Sequence, residues 1–228
     1  MPSCLSRRPS HPVLSRSVLA ALCIAGSLLV AGRPAVAGEG ILDVLNRSQS
    51  LRLAQLAPVD PSDARARVLQ ASFQQVLSVA DGLGARPVSL LVVQGPVVAE
   101  TFHGRIIVVN ADVAARPEGE RLFVLAHELG HVVHADWAAV GSVYQRHIPA
   151  EVLQSRTDAV AALLGREMTA LSHEQELSAD GYALQLIGRL GHGMEAAVAT
   201  FTRYGVQVDS ATHPGTRKRI AALRLSAP

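Results

Sequence analysis

Arg121-Leu122-Phe123-Val124-Leu125-Ala126-His127-Glu128-Leu129-Gly130-His131-Val132-Val133 is an apolar run broken by two histidines and one acid. Leu122, Leu125, Leu129 and Val132 or Val133 recur at helical spacing, which predicts a helix with that side buried. Arg116-Pro117-Glu118 opens it, with acids in the first turn where the helix dipole favours them. It is expected to end near Asp136. Residues four apart share a helix face, so His127 and His131 offer two imidazoles to one point in space. Glu128 lies on nearly the same side, close enough to reach a water held by a metal between the rings.

The elements around this helix predict an α+β domain, mostly α-helical, over residues 61–228. Val68, Leu69, Phe73, Val76, Leu77 and Ala80 mark one stripe of a helix ending at Gly82 or Gly84. The pattern then changes period. Val88–Val93 is β-rich, and Val97–Phe102 and Arg105–Asn110 flank His103-Gly104, which predicts a small sheet whose last two strands form a hairpin. Polar Thr101, His103 and Asn110 at its margins suggest a sheet that is not deeply buried, with Arg105–Asn110 as an edge strand close to the motif helix. Residues 142–149 read as a connection. A helix follows from about Pro149 to Thr169. Ser172, with Gln175 three residues on, then reads as the cap of a separate helix running to about Leu190. Further helices are expected from Gly193 to Tyr204, and from His213-Pro214 to Leu225. Residues 38–60, with Leu42, Leu45, Leu53 and Leu56 at loosely helical spacing, read as a segment that packs on this core, with a mobile arm as the alternative.

The first 37 residues have the grammar of an export signal. Arg7, Arg8 and Arg16 precede an apolar run from Val18 to Ala31, too short for an ordinary membrane span, and Ala35-Val36-Ala37 is a small-residue cleavage site. Cleavage after Ala37 would leave 191 residues. Both cysteines, Cys4 and Cys23, fall in the leader, so the remainder has no thiol to offer a metal. Four of the 21 basic residues and none of the 19 acids are in the leader, giving 17 − 19 = −2 for the processed chain. No basic cluster with interleaved aromatics appears, which excludes a nucleic-acid surface. The expectation is a periplasmic or secreted protein with no stable membrane insertion after cleavage.

A catalytic zinc takes three protein ligands and keeps one position open. The metzincin pattern, which continues to a third histidine, fails: His134 stands where glycine is needed and Trp137 where histidine is needed. Glu176-Leu177-Ser178-Ala179-Asp180 is the better source, with Glu174 as the nearest rival. Glu176 and Asp180 share a helical face, so one carboxylate can ligate while the other accepts a proton from a ligand imidazole. Asp180 could instead serve a salt bridge.

His-Glu-x-x-His, then Glu-x-x-Ala-Asp on a later helix, then Thr212-His213-Pro214 before a helix containing Arg219-Ile220, resembles the M48 family of gluzincin metallopeptidases. The motifs span somewhat over half the chain. The resemblance implies one zinc per chain bound by His127, His131 and Glu176, with Glu128 as general base and Asp180 behind a ligand ring. It also implies that His213 lies near the metal, to steady the transition state or gate the site; a simple helix cap before Pro214 is the alternative. The expected activity is zinc-dependent endopeptidase cleavage of unfolded or extended polypeptides, as in protein quality control. Two other readings are a zinc-binding chaperone or adaptor of the same fold, and a self-inhibited protease with His213 or a loop in the open metal position. Arg219 reads as a structural ion-pair residue.

Overall fold

The computed structural model of the protein describes residues 40–85, 87–148, 152 and 154–226. The expected signal peptide, with Cys4 and Cys23, lies outside them. Helix α1 (Ile41–Ala54) leads to β1 (Ala57–Pro58) and α2 (Ala64–Val79), then to β2 (Ser89–Gln94), β3 (Ala99–Phe102) and β4 (Ile106–Asn110). A short 3-10 turn joins these to α3 (Glu118–Val133), followed by α4 (Asp136–His147), α5 (Gln154–Arg189), α6 (Met194–Thr202) and α7 (Thr216–Ser226). Among the described residues no helix is long and apolar enough to cross a membrane.

The sheet order is β1-β2-β4-β3, with β4 parallel to β2 and antiparallel to β3. This corrects the expectation for Arg105–Asn110. That strand is interior, with Ile107, Val108 and Val109 fully buried, and β3 is the edge. The misreading has a plain cause: polar residues at strand ends say little about strands whose centres are sandwiched between two apolar layers. One face of the sheet sends Val92, Ile107 and Val109 into the main core with α2, α3 and α5. The other face, through Val93, Phe102 and Val108, is covered by Leu53 and Leu56. Leu53 and Leu56, at the end of α1 and just after it, thus lie against this face of the sheet.

Helix α3 is the hub. Leu122, Phe123, Leu125, Ala126, Leu129 and Val132 are all essentially inaccessible, the pattern of a helix enclosed on nearly every side. It crosses α5 at very short range: a Cβ placed on Gly130 would sit 3.0 Å from the Ala179 Cα. Only glycine allows that approach, and it brings the faces carrying His127, His131 and Glu176 together.

Two further expectations need correction. Residues 142–147 are not a connection but the second half of α4. The chain turns sharply at Ala135, which takes a left-handed conformation (φ 57°, ψ 37°), and starts a new helix at Asp136. An alanine there carries none of the glycine or asparagine signal such a turn normally shows. Residues 154–189 form one continuous helix, so Ser172 caps nothing and His173 lies within it. Its capping chemistry is genuine, but no proline or glycine between Thr169 and Ser172 ends the preceding helix.

Candidate metal centre

His127 and His131 project from the middle of α3, and Glu176 from the facing turn of α5; the ligand atoms of all three come within 4.8 Å of one another. The two Nε2 atoms are 3.2 Å apart, His127 Nε2 lies 3.5 Å from Glu176 Oε2, and His131 Nε2 lies 3.4 Å from Glu176 Oε1. Tetrahedral zinc with nitrogen and oxygen ligands at about 2.0–2.1 Å has ligand–ligand edges of about 3.3 Å. The spacing between the two Nε2 atoms is close to such an edge, and the Glu176 carboxylate faces both rings, one oxygen toward each. Glu174, the rival acid, is exposed, whereas Glu176 is buried.

The outer nitrogens fix what the inner ones can do. His127 Nδ1 lies 2.9 Å from Asp180 Oδ1, and His131 Nδ1 lies 2.7 Å from Asp136 Oδ2. Each Nδ1–H is therefore donated to a carboxylate, which leaves both Nε2 lone pairs turned toward the same small space. Two facing lone pairs repel unless a cation sits between them. Glu176 Oε2 is buried and has no hydrogen bond among the described residues, though it faces the Arg219 guanidinium. The donor set of two imidazoles and one carboxylate suits zinc and leaves a fourth position for water.

In the metal-free protein a proton serves as the cation. Burial opposes the charged form of His131, but hydrogen bonds to Asp136 and Glu176 and the nearby Glu128 charge push it up to about 10. Burial likewise opposes charge on Glu176. It is outweighed by His127, the His131 hydrogen bond and Arg219, which hold this carboxyl well below the usual carboxylate range.

Arg219, from α7, closes the back of the site. Its guanidinium donates to both Asp180 oxygens, Nε to Oδ2 at 2.7 Å and Nη2 to Oδ1 at 2.5 Å, and Nη1 lies 3.3 Å from Glu176 Oε2. It also stacks over Phe201, 4.5 Å from the ring centroid. Asp180 is fully buried, so this pair compensates a charge that would otherwise be stranded. The same aspartate thus takes both readings left open for it, ring acceptor and salt-bridge partner.

Glu128 lies one residue beyond His127, buried at 7 % exposure. Thr101 on β3 donates its hydroxyl to Glu128 Oε2 at 2.8 Å. His213 sits on the loop before α7, its Nδ1 2.8 Å from Thr212 Oγ1 and its Nε2 3.5 Å from Glu176 Oε1. Its side chain caps no α7 amide: the first turn closes on the Gly215 carbonyl instead. His213 borders the cluster without joining the mutual reach of the other three. His173 ties α5 to the same loop, its Nε2 2.8 Å from the Ser210 carbonyl oxygen.

The structure thus brings together every residue singled out for the site: His127, Glu128, His131, Glu176, Asp180 and His213. It adds Asp136 and Thr101, which the spacing of the motifs does not reveal. Asp136 is reached only because the chain reverses at Ala135, and Thr101 only because β3 is the edge strand beside α3.

His127, His131 and Glu176, with the buried Glu128 beside them, form a group that could hold a metal ion. Residues 63–227 match the sequence model of Peptidase family M48, and the chain belongs to that family. Its members are zinc metallopeptidases, and the His-His-Glu cluster of this chain could hold such an ion. Among solved structures the chain is similar to the crystal structure of S. mikatae Ste24p, at 16 % identity and a TM-score of 0.48. The match covers 80 % of this chain and 56 % of that one. No curated protein matches.

Proposed function

We propose that this protein is a zinc endopeptidase that cuts unfolded or extended polypeptides after export to the periplasm or beyond the cell. The observation that carries this reading is the convergence of His127, His131 and Glu176 within 4.8 Å of one another, with a carboxylate behind each imidazole. Zinc bound by these three would supply a Lewis acid for the scissile carbonyl and lower the pKa of water at the open position.

The chain's own groups supply the rest. Thr101 fixes one oxygen of Glu128, which turns the carboxylate and leaves the other oxygen to take a proton from the attacking water. Glu128 then returns that proton to the leaving amine. His213, on the loop beside Glu176, would donate to the developing oxyanion. Arg219 and Asp180 hold His127 and Glu176 in register without touching the substrate. The edge of β3 beside Glu128 offers main-chain hydrogen bonds to an extended peptide, a mode with little sequence preference that suits unfolded chains. Export rests on the charged start, short apolar run and Ala35-Val36-Ala37 of the first 37 residues. A self-inhibited form would need a fourth protein ligand; His213, which reaches Glu176 alone among the three, favours the open form.

The test is zinc content together with cleavage of an unfolded protein by the wild type and by Glu128→Gln. Stoichiometric zinc in both, with cleavage lost in the variant, is the expected result. Undiminished cleavage by Glu128→Gln would refute the base, and zinc binding without any turnover would favour a chaperone or adaptor.

A further inference from the structure

The pairing of β3 with β4 decides which backbone groups β3 presents at its open edge. The Asn110 N–H donates to the Val98 carbonyl, and Ala99 stands opposite Val109. Bonded and non-bonded positions alternate in an antiparallel pair. Val98, Glu100 and Phe102 therefore turn their peptide groups toward β4, while Ala99 and Thr101 turn theirs outward, as does the N–H of His103, the first residue of the left-handed turn that follows β3. Thr101 is also the residue whose hydroxyl holds Glu128, so this edge leads directly to the candidate catalytic carboxylate.

The last outward N–H, at the turn, is already taken. The His103 N–H donates to Gln49 Oε1 at 2.5 Å, and His103 Nε2 lies 3.2 Å from Ser50 Oγ. Both partners belong to α1. That helix is fastened to the same strand by Arg52, which donates to Glu100 Oε2 at 2.5 Å, and to the sheet face by Leu53. At its other end Ile41 and Leu45 pack with Ile148, Trp137 and Tyr144. A helix anchored at both ends holds the Gln49 amide in place rather than leaving it as a loose side chain. All of α1 precedes residue 63 and so lies outside the segment that matches the family.

We infer that Gln49 is an end stop on the substrate strand. Its side-chain carbonyl stands where the backbone carbonyl of a bound peptide would otherwise accept the His103 N–H. An extended substrate pairs with Ala99 and Thr101 and is turned away at His103, so the enzyme reads few residues on one side of the cut bond. This inference rests on the peptidase reading of the site.

The test uses internally quenched peptides built around one cleavable bond and lengthened one residue at a time on either side, with the full-length zinc-loaded protein. For the wild type, kcat/KM stops rising on one side after a short extension. Gln49→Ala gains about fivefold when that side is lengthened by the next residue, the worth of one recovered backbone hydrogen bond. Gln49→Glu, whose carboxylate still accepts from His103, keeps the wild-type limit. Identical length profiles for wild type and Gln49→Ala would overturn the stop. A second measurement stands apart from turnover: the His103 amide resonance shifts on adding the longest peptide in Gln49→Ala but not in the wild type. A shift of equal size in the wild type overturns the inference. Absence of all cleavage with the expected amide response would overturn the peptidase reading instead and leave the stop standing.

Discussion

The Nδ1 of His131 and the Oδ2 of Asp136 are 2.7 Å apart, although the two residues lie on different helices separated by a left-handed turn. Asp136 is itself fixed from the opposite side, because Gln175, the neighbour of Glu176, donates to its backbone carbonyl at 3.1 Å. The carboxylate behind one ligand is thereby tied to the helix that carries another. Asp136→Ala is expected to weaken zinc binding by about 10–100-fold, the usual loss when the acceptor behind a ligand histidine is removed. Competition with a chromophoric chelator measures this directly, and an unchanged affinity would show that His131 needs no such partner.

Thr101 gives a cleaner separation of metal binding from chemistry. Its hydroxyl donates to Glu128 Oε2 at 2.8 Å, and it is not among the three clustered ligands. Thr101→Val keeps the shape and removes the donor. kcat is expected to fall by about tenfold, in line with the loss of one hydrogen bond to a charged group. Zinc content and affinity should stay at wild-type values.

Gly130→Ala tests the close approach of α3 and α5. The added methyl would meet the Ala179 backbone at 3.0 Å, and neither helix can yield without moving the site. Destabilisation of about 1–3 kcal/mol is expected despite the better helix propensity of alanine. Because Glu176 rides on α5, zinc affinity should fall as well. Thermal unfolding with and without zinc separates the two effects.

The charge state of the metal-free site sets a pH dependence. The folded-state pKa of His131 is raised to about 10, so its stabilising contribution is complete below its ordinary value of 6.5 and is lost as pH rises through about 10. Glu176 is lowered, so its contribution is present above its ordinary 4.5 and disappears as pH falls. The metal-free fold should draw most from this pair between those two ordinary values. Zinc needs the His131 lone pair, so binding near neutral pH must expel that proton. Calorimetry in two buffers of different ionisation enthalpy should find about one proton released on this account, and apparent zinc affinity should strengthen with rising pH up to about 10. A buffer-independent enthalpy would contradict a protonated His131.

The motif helix, the ligand pair and the Glu176–Asp180 face are legible in sequence because each is local: side chains three or four apart on one helix must share a face. The β3–β4 hairpin is legible for the same reason. What escapes is set by long-range packing. Nothing near Arg105–Asn110 says that β2 will pair in parallel with β4 and bury it, because that register depends on the layer of helices above. Ala135 adopts its left-handed turn without the residue type that normally marks one, so α4 and the role of Asp136 stay hidden. Ser172 shows that a good cap sequence inside a helix is silent when nothing stops the preceding turn.

Glu176 lies 22 residues after the start of α5 and 13 before its end. Helices unravel from their tips, and the opening of a terminal turn costs far less than the opening of a packed centre. The first turns of this long rod are largely exposed and can therefore melt and re-form, while its far end, with Leu186 and Ile187 fully buried, and the carboxylate between stay in place. Warming should blur the periphery of the molecule well before it disturbs the metal's seat.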